Sequence, residues 1–179
     1  MSYLHAMLKT QTEQQHRRLE ANPLIAQLLA PTLDCATYQR IITHYYSFHQ
    51  HYEPAIASWI KDFSLIPKAD WLYADLLQLG SLPQKTTQSE QPLHSKAEAI
   101  GALYVLEGAT LGGQVILRTL KQQLPQYKHR FFSGYGKQTA QRWRLFLAYL
   151  SQIETTIDAA SVVDSANNTF QALDDWMRN

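Results

Sequence analysis

Cysteine occurs once in the 179 residues, at Cys35. A single thiol cannot close an internal disulfide, so stability has to come from a core, and the chain fits a reducing compartment. Glycine and proline number seven each, too few for a collagen-like or linker-like chain, and most fall between periodic segments. An excess of one charge is missing as well: sixteen Lys and Arg stand against fifteen Asp and Glu. That balance leaves no basic footprint for nucleic acid and no stripe for a membrane surface. Residues 1–10 lack the apolar stretch of a signal peptide, and no run reads as long and apolar enough to cross a bilayer. A cytoplasmic protein with no membrane contact is therefore expected. What is abundant is apolar: hydrophobic residues make up 45% and charged residues 17%, enough for one ordinary folded domain over residues 1–179.

The patterning is helical throughout, and no alternating stretch competes with it. A first helix is expected over about Tyr3 to Glu20, ended by Asn22-Pro23, which reads as an N-cap and first-turn proline of a short second helix. Asp34 opens a long one whose apolar positions (Tyr38, Ile41, Ile42, Tyr45, Phe48, His49, Tyr52, Ile56) keep helical spacing. Ala69 to Leu79 reads as a helix stopped by Gly80. Residues 81–94 are polar with two prolines and read as a flexible loop. Ser95 and Glu98 match a capping box, opening a helix that runs to about Gln123. Residues 131–136 (FFSGYG) read as a turn. Trp143, Phe146, Leu147, Leu150, Ile153 and Ile157 mark an amphipathic helix, and Ser161 to Asp164 read as the cap of a last one. The expected fold class is all-α, a single multi-helical bundle.

Two segments carry chemistry. The helix opened by Ser95 contains ALYVLEGATLGGQVIL, with Gly108, Gly112 and Gly113 inside the helical pattern. Each interior glycine costs roughly 1 kcal/mol relative to alanine, roughly 3 kcal/mol for the three. Gly108 and Gly112 share a face and bare the backbone there. Such a face suits either close packing of another helix or the approach of something flat. Two adjacent bare positions, Gly112 and Gly113, favour the ligand, because helix packing rarely needs both. The second segment is KTQTEQQHRRLE, in which Lys9, Thr12, His16 and Glu20 step by three or four and lie on one face. An imidazole ligates iron through one ring nitrogen while the other donates to a partner, a role open to Glu20. Lys9 and Thr12 lie on the same face toward the N-terminus, where Lys9 could meet a carboxylate. The plainer alternative is a half-exposed histidine among i,i+4 charge pairs.

Together these segments resemble the haem oxygenase family. TEQQHRRLE is similar to the family's proximal helix, and LEGATLGGQVI to its distal helix. The tail, RFFSGYGKQTAQRWRLF and NNTFQALDDW, resembles the bacterial branch associated with bacteriophytochromes. The resemblance covers most of the chain in the right order. It implies a haem-oxygenase-like bundle, with haem as both cofactor and substrate and electrons from an external reductase or ferredoxin. Oxidative cleavage at a meso carbon would give biliverdin, carbon monoxide and iron, with a bacteriophytochrome as a biliverdin acceptor. It further implies His16 as the iron ligand, Glu20 as its support, and Gly108, Gly112 and Gly113 as a kinked distal wall. Lys9 would pair with one haem propionate and Arg144 with the other, with Thr12 lining the proximal side. Many family members carry an aspartate after the first distal glycine; this chain has Ala109. Thr110 or backbone carbonyls holding water are the local substitutes for the proton route.

Rival functions weigh less. A di-iron oxidase needs a Glu-x-x-His pair on each of two helices, and Glu13 with His16 is the only such pair recognised. A haem carrier or sensor without turnover fits the pocket and the missing aspartate. A helical interaction module would use the glycine face for a partner helix. His44, His49 and His51 lie in an aromatic-rich helix and read as core or surface histidines, since no cysteine or spaced carboxylate completes a site.

Overall fold

A computed structural model describes residues 2–83 and 92–178; the central part of the expected loop, residues 84–91, lies outside the described residues. The described residues are helical, with no strand among them. The first helix is two. α1 (Tyr3–Gln11) and α2 (Glu13–Glu20) meet at Thr12, whose hydroxyl donates to the Leu8 carbonyl at 2.8 Å. That side-chain bond competes at the helix ladder and bends it. The backbone bonds Thr12 N to Leu8 O and His16 N to Thr12 O persist, so the face carries across the bend. The short helix expected after Asn22 is a 3-10 segment, Ile25–Leu29. Asn22 still caps: its Oδ1 accepts from Leu24 N at 2.9 Å.

α3 (Cys35–Trp59) starts as expected, with Asp34 accepting from Thr37 N at 2.7 Å. α4 (Ala69–Gln78) ends where Gly80, at φ 74°, lets Ser81 N reach back to the Leu76 carbonyl, a left-handed stop that a glycine adopts freely. α5 (Lys96–Gln123) is capped by the expected pair with one partner shifted: Ser95 Oγ accepts from Glu98 N, while Glu98 reaches back past Ser95 to accept from His94 N. The FFSGYG segment is more ordered than a turn, forming α6 (Arg130–Ser133) and a 3-10 turn at Gly136–Gln138. α7 (Thr139–Ile153) stops before Ile157, and α8 (Ala159–Trp176) is capped by Asp158 rather than Ser161. Asp158 wins because it accepts both Ala160 N and the Ser161 hydroxyl, so Ser161 supports the cap from inside the first turn.

α5 is the spine. It runs along α8 and also touches α3, α6 and α7. Against the expectation from sequence, α5 is long and apolar enough to cross a bilayer, but 56% of its most apolar window is buried inside the fold. Its closest crossing is at Gly101, where a Cβ would lie 2.3 Å from the Val162 carbonyl oxygen and 2.8 Å from Ala166 N. Ser165 Oγ donates to the Glu98 carbonyl at 2.8 Å across the same crossing. α2 is tied to α8 by the buried Asp174 carboxylate, which accepts Asn22 Nδ2 at 2.7 Å and faces Arg18 and Arg178. Leu4 N donates to Glu154 at 3.1 Å, fixing α1 at the end of α7.

Candidate haem cleft

Those anchors leave an open cleft of about 500 Å³ beside α1, α2, α5 and α8. Ala6, Lys9 and Thr10 line it from α1 and Glu13 and His16 from α2, with Thr12 at the bend between them; Tyr104 comes from α5 and Phe170 from α8. The size lies within the range of ligand pockets, and apolar surface exceeds polar around it. The bend at Thr12 thus preserves the expected face: Lys9, Thr12 and His16 meet at one wall. Thr12 is buried and its hydroxyl is engaged with Leu8, so it shapes the wall without offering a free donor.

His16 is about half exposed, at 54% of its side chain, and rests edge-on against Phe170, ring centroids 5.6 Å apart. Its Nδ1 lies 3.7 Å from Glu20 Oε1, an ion-pair distance beyond hydrogen-bond length. Glu20 thus stands next to the imidazole at the ring nitrogen that would carry the supporting proton, without yet bonding it. Among the described residues, Nε2 makes no hydrogen bond. His5, one turn before Lys9, packs edge-on against Trp143. Burial and then the Lys9 charge hold its pKa below the ordinary histidine value, so it favours the neutral form near pH 7.

The glycines separate by what faces them. At Gly112 a Cβ would meet nothing within 4 Å, and at Gly108 only the Trp143 ring at 3.9 Å. Tyr104, Gly108 and Gly112 step by four along α5, so an open face runs on from Tyr104, but neither glycine is among the residues lining the cleft. Gly113 does not belong to it. A Cβ there would lie 3.2 Å from the Phe132 carbonyl oxygen, so Gly113 serves close packing against α6, the alternative weighed for all three. No interruption of α5 accompanies the glycines; residues 96–123 form one α-helix. Ala109 is exposed beside the open face. Thr110 is buried toward Gly134 and its hydroxyl donates to the Glu107 carbonyl at 2.7 Å. It is not available to hold a water in the cleft, so that substitute proton route is withdrawn. Arg144 is exposed on α7 and absent from the cleft lining. α7 turns Trp143 toward α5, which leaves its neighbour on the solvent side.

Tyr104 and Phe170 were missed as site residues. Their apolar helical spacing reads as core, and only the packing of α5 against α8 brings them to the cleft, with Trp143 behind the lining against Tyr104. Among the described residues no three His, Cys, Asp or Glu side chains cluster to hold a metal ion, so Glu13 and His16 have no di-iron partners there.

A helical fold with an accessible imidazole in one cleft, and a bare-backbone helix face running on from Tyr104 in its wall, defines a class of helical proteins open to a ligand on that side. The family description "Heme oxygenase" matches residues 2–179, and the chain belongs to the haem oxygenase family. A protein of Xanthomonas campestris pv. campestris (strain 8004) called heme oxygenase is 26% identical over 148 residues, 77% of this chain and 87% of its own length. Among solved structures, the NO- and CO-bound heme oxygenase of Neisseria meningitidis aligns with TM-score 0.80 at 21% identity, over 98% of this chain and 90% of that one. Heme oxygenase-1 of Synechocystis sp. PCC6803 in complex with heme aligns with TM-score 0.73 at 16% identity, over 98% and 90%. Heme oxygenase of Leptospira interrogans aligns with TM-score 0.72 at 18% identity, over 99% and 98%. The fold is shared with all three, and family membership makes the chain an enzyme of haem degradation.

Proposed function

We propose that haem enters the cleft between the α1–α2 wall and the 104/108/112 face of α5, and is cleaved there at a meso carbon to biliverdin, carbon monoxide and iron. The observation that carries this assignment is the pairing of an accessible His16 with a glycine face open to at least 4 Å at Gly112. In this reading His16 Nε2 holds the iron and Nδ1–H donates to Glu20 after a small closing movement. Lys9 meets a propionate at the cleft mouth. Gly108 and Gly112 let the α5 backbone approach the haem face, and the Trp143 ring, 3.9 Å from where a Gly108 Cβ would lie, edges that same face. When bound, haem supplies the iron at which oxygen is reduced and the porphyrin edge that is oxidised. Ala109 brings no proton donor, so protons reach the cleft through water along the open glycine face. Gly113 and Arg144 have no part at the haem in this scheme.

An electron-donor protein, a cytoplasmic setting and a bacteriophytochrome that accepts biliverdin belong to the same proposal; the lone Cys35 and the family resemblance support them. A carrier or sensor that binds haem without turnover is the second reading, favoured by Ala109 and by the engaged Thr110 hydroxyl. Haemin titration of the wild type and His16→Ala separates the readings. A Soret band that the variant lacks, decaying to a biliverdin absorption on addition of ascorbate or ferredoxin in air, is the expected result. A stable band without decay would establish the carrier. Absence of stoichiometric haem binding would refute both.

A further inference from the structure

A second cavity, of about 480 Å³, lies between α3, the segment leading into α4, and α5. It shares no lining residue with the haem cleft; α5 presents Tyr104 to one and Leu103, Leu106 and Glu107 to the other. Its walls are mainly apolar, but polar groups are set into them: His49, Lys68 and Glu107 are buried, and Gln50 and Glu53 partly so. His49 is 2% exposed and its Nδ1 stands 2.9 Å from Glu53 Oε1. Glu53 also accepts Lys68 N at 2.7 Å and Ala69 N at 3.2 Å, so it is an acceptor only. His49 Nδ1 therefore carries the proton shared with Glu53, and Nε2 has no protein partner among the described residues, an acceptor in the singly protonated ring. Gln50, the next wall residue, has its Oε1 buried without a hydrogen bond. Pro54, one turn on and also in the wall, has no N–H to give the Gln50 main-chain carbonyl.

Charge does not select an ion here. Lys68 and Arg142 balance Glu53 and Glu107, with Lys68 Nζ 2.9 Å from Glu107. A buried, paired wall of this kind, with unpaired acceptors and apolar volume left over, matches the pattern of a small-molecule site. The geometry points to a second binding site, for a neutral, mainly apolar molecule carrying a hydroxyl or N–H donor. The donor meets His49 Nε2, and the Gln50 amide turns to satisfy a second polar atom. The site is independent of the haem assignment, because neither wall nor ligand chemistry is shared.

The probes are p-cresol and toluene, which differ by one hydroxyl, added to the full chain with and without bound haem and followed by NMR chemical-shift changes. p-Cresol binds in both states with shifts in the α3 and α5 residues of this wall, and toluene binds about tenfold more weakly for want of one hydrogen bond. His49→Phe, which keeps the ring and removes the acceptor, brings p-cresol down to the level of toluene. Ala57→Trp, which fills the cavity, abolishes binding of both. Haem binding, read from the Soret band, is unchanged in both variants and certifies their fold. Should either variant misfold, displacement of p-cresol by haem in the wild type serves as the decisive reading. Equal affinity for the two probes, shifts confined to the haem cleft, or displacement by haem would overturn the proposal.

Discussion

Gly101→Ala tests the packing argument most severely. The added Cβ would lie 2.3 Å from the Val162 carbonyl oxygen, 2.8 Å from Ala166 N and 2.8 Å from Ser165 Cβ. Two of those three atoms are main chain and cannot rotate away, so α8 itself must move. Overpacking of a core costs about 1–3 kcal/mol, and a backbone clash belongs at the upper end, about 3 kcal/mol. Removing a helix-interior glycine returns about 1 kcal/mol, for a net loss of about 2 kcal/mol. For a chain of this size that lowers Tm by about 4–8 °C. A displaced α8 also carries Phe170, whose ring supports His16, so haem affinity falls with stability. Thermal unfolding by circular dichroism, with haem titrated separately, is the assay. A Gly101→Ala protein that melts at or above the wild-type temperature would show that the α5–α8 crossing does not depend on a bare backbone.

Gly112→Ala moves the other way: with nothing within 4 Å of the new methyl, the haem-free protein gains up to about 1 kcal/mol, while haem titration shows weaker binding because the methyl occupies the approach. Glu107→Gln leaves Lys68 and Arg142 buried without their shared carboxylate, and urea unfolding should report a loss of about 3 kcal/mol. Burial alone would raise the Glu53 pKa, but the hydrogen bond and electrostatic attraction to His49, with the Lys68 and Ala69 amides, outweigh it and hold it below the ordinary 4.5. A carboxylate depressed in the folded state contributes stability above pH 4.5 and loses it as pH falls through the folded value. Wild type should therefore lose more stability than Glu53→Gln between pH 4.5 and strongly acid solution; parallel pH–stability curves would contradict this.

Much of the helical framework was legible because capping and periodicity are local. Asp34, Ser95 with Glu98, and Gly80 each act on backbone groups within about a turn. The errors are also physical. The bend at Thr12 leaves the 9/12/16 face intact, so periodicity cannot register it; only the hydroxyl bond to Leu8 does. Ile157 keeps the helical spacing of α7 while packing from the turn beyond it. Asp158 and Ser161 are both competent caps, and their order emerges only once Asp158 binds both Ala160 N and the Ser161 hydroxyl. The Lys68–Glu107–Tyr135 cluster draws its members from three distant segments, so no spacing in the sequence announces it.

The glycines of α5 show why a pattern reading needs space to complete it. Gly101 passed unremarked in AIGALY, because its requirement is set by main-chain atoms of α8 some sixty residues away. Gly113 looked like part of the site, yet the Phe132 carbonyl explains it by packing alone. At Gly108 and Gly112 that explanation is too weak: one faces only an indole at 3.9 Å, the other faces no atom within 4 Å. Two interior glycines cost α5 about 2 kcal/mol, and the described residues return no close contact in exchange at Gly112. A cost carried in the core helix of the fold, on the face that runs on from Tyr104, is what the proposed approach of haem would explain, and Gly112→Ala is the substitution that tests it.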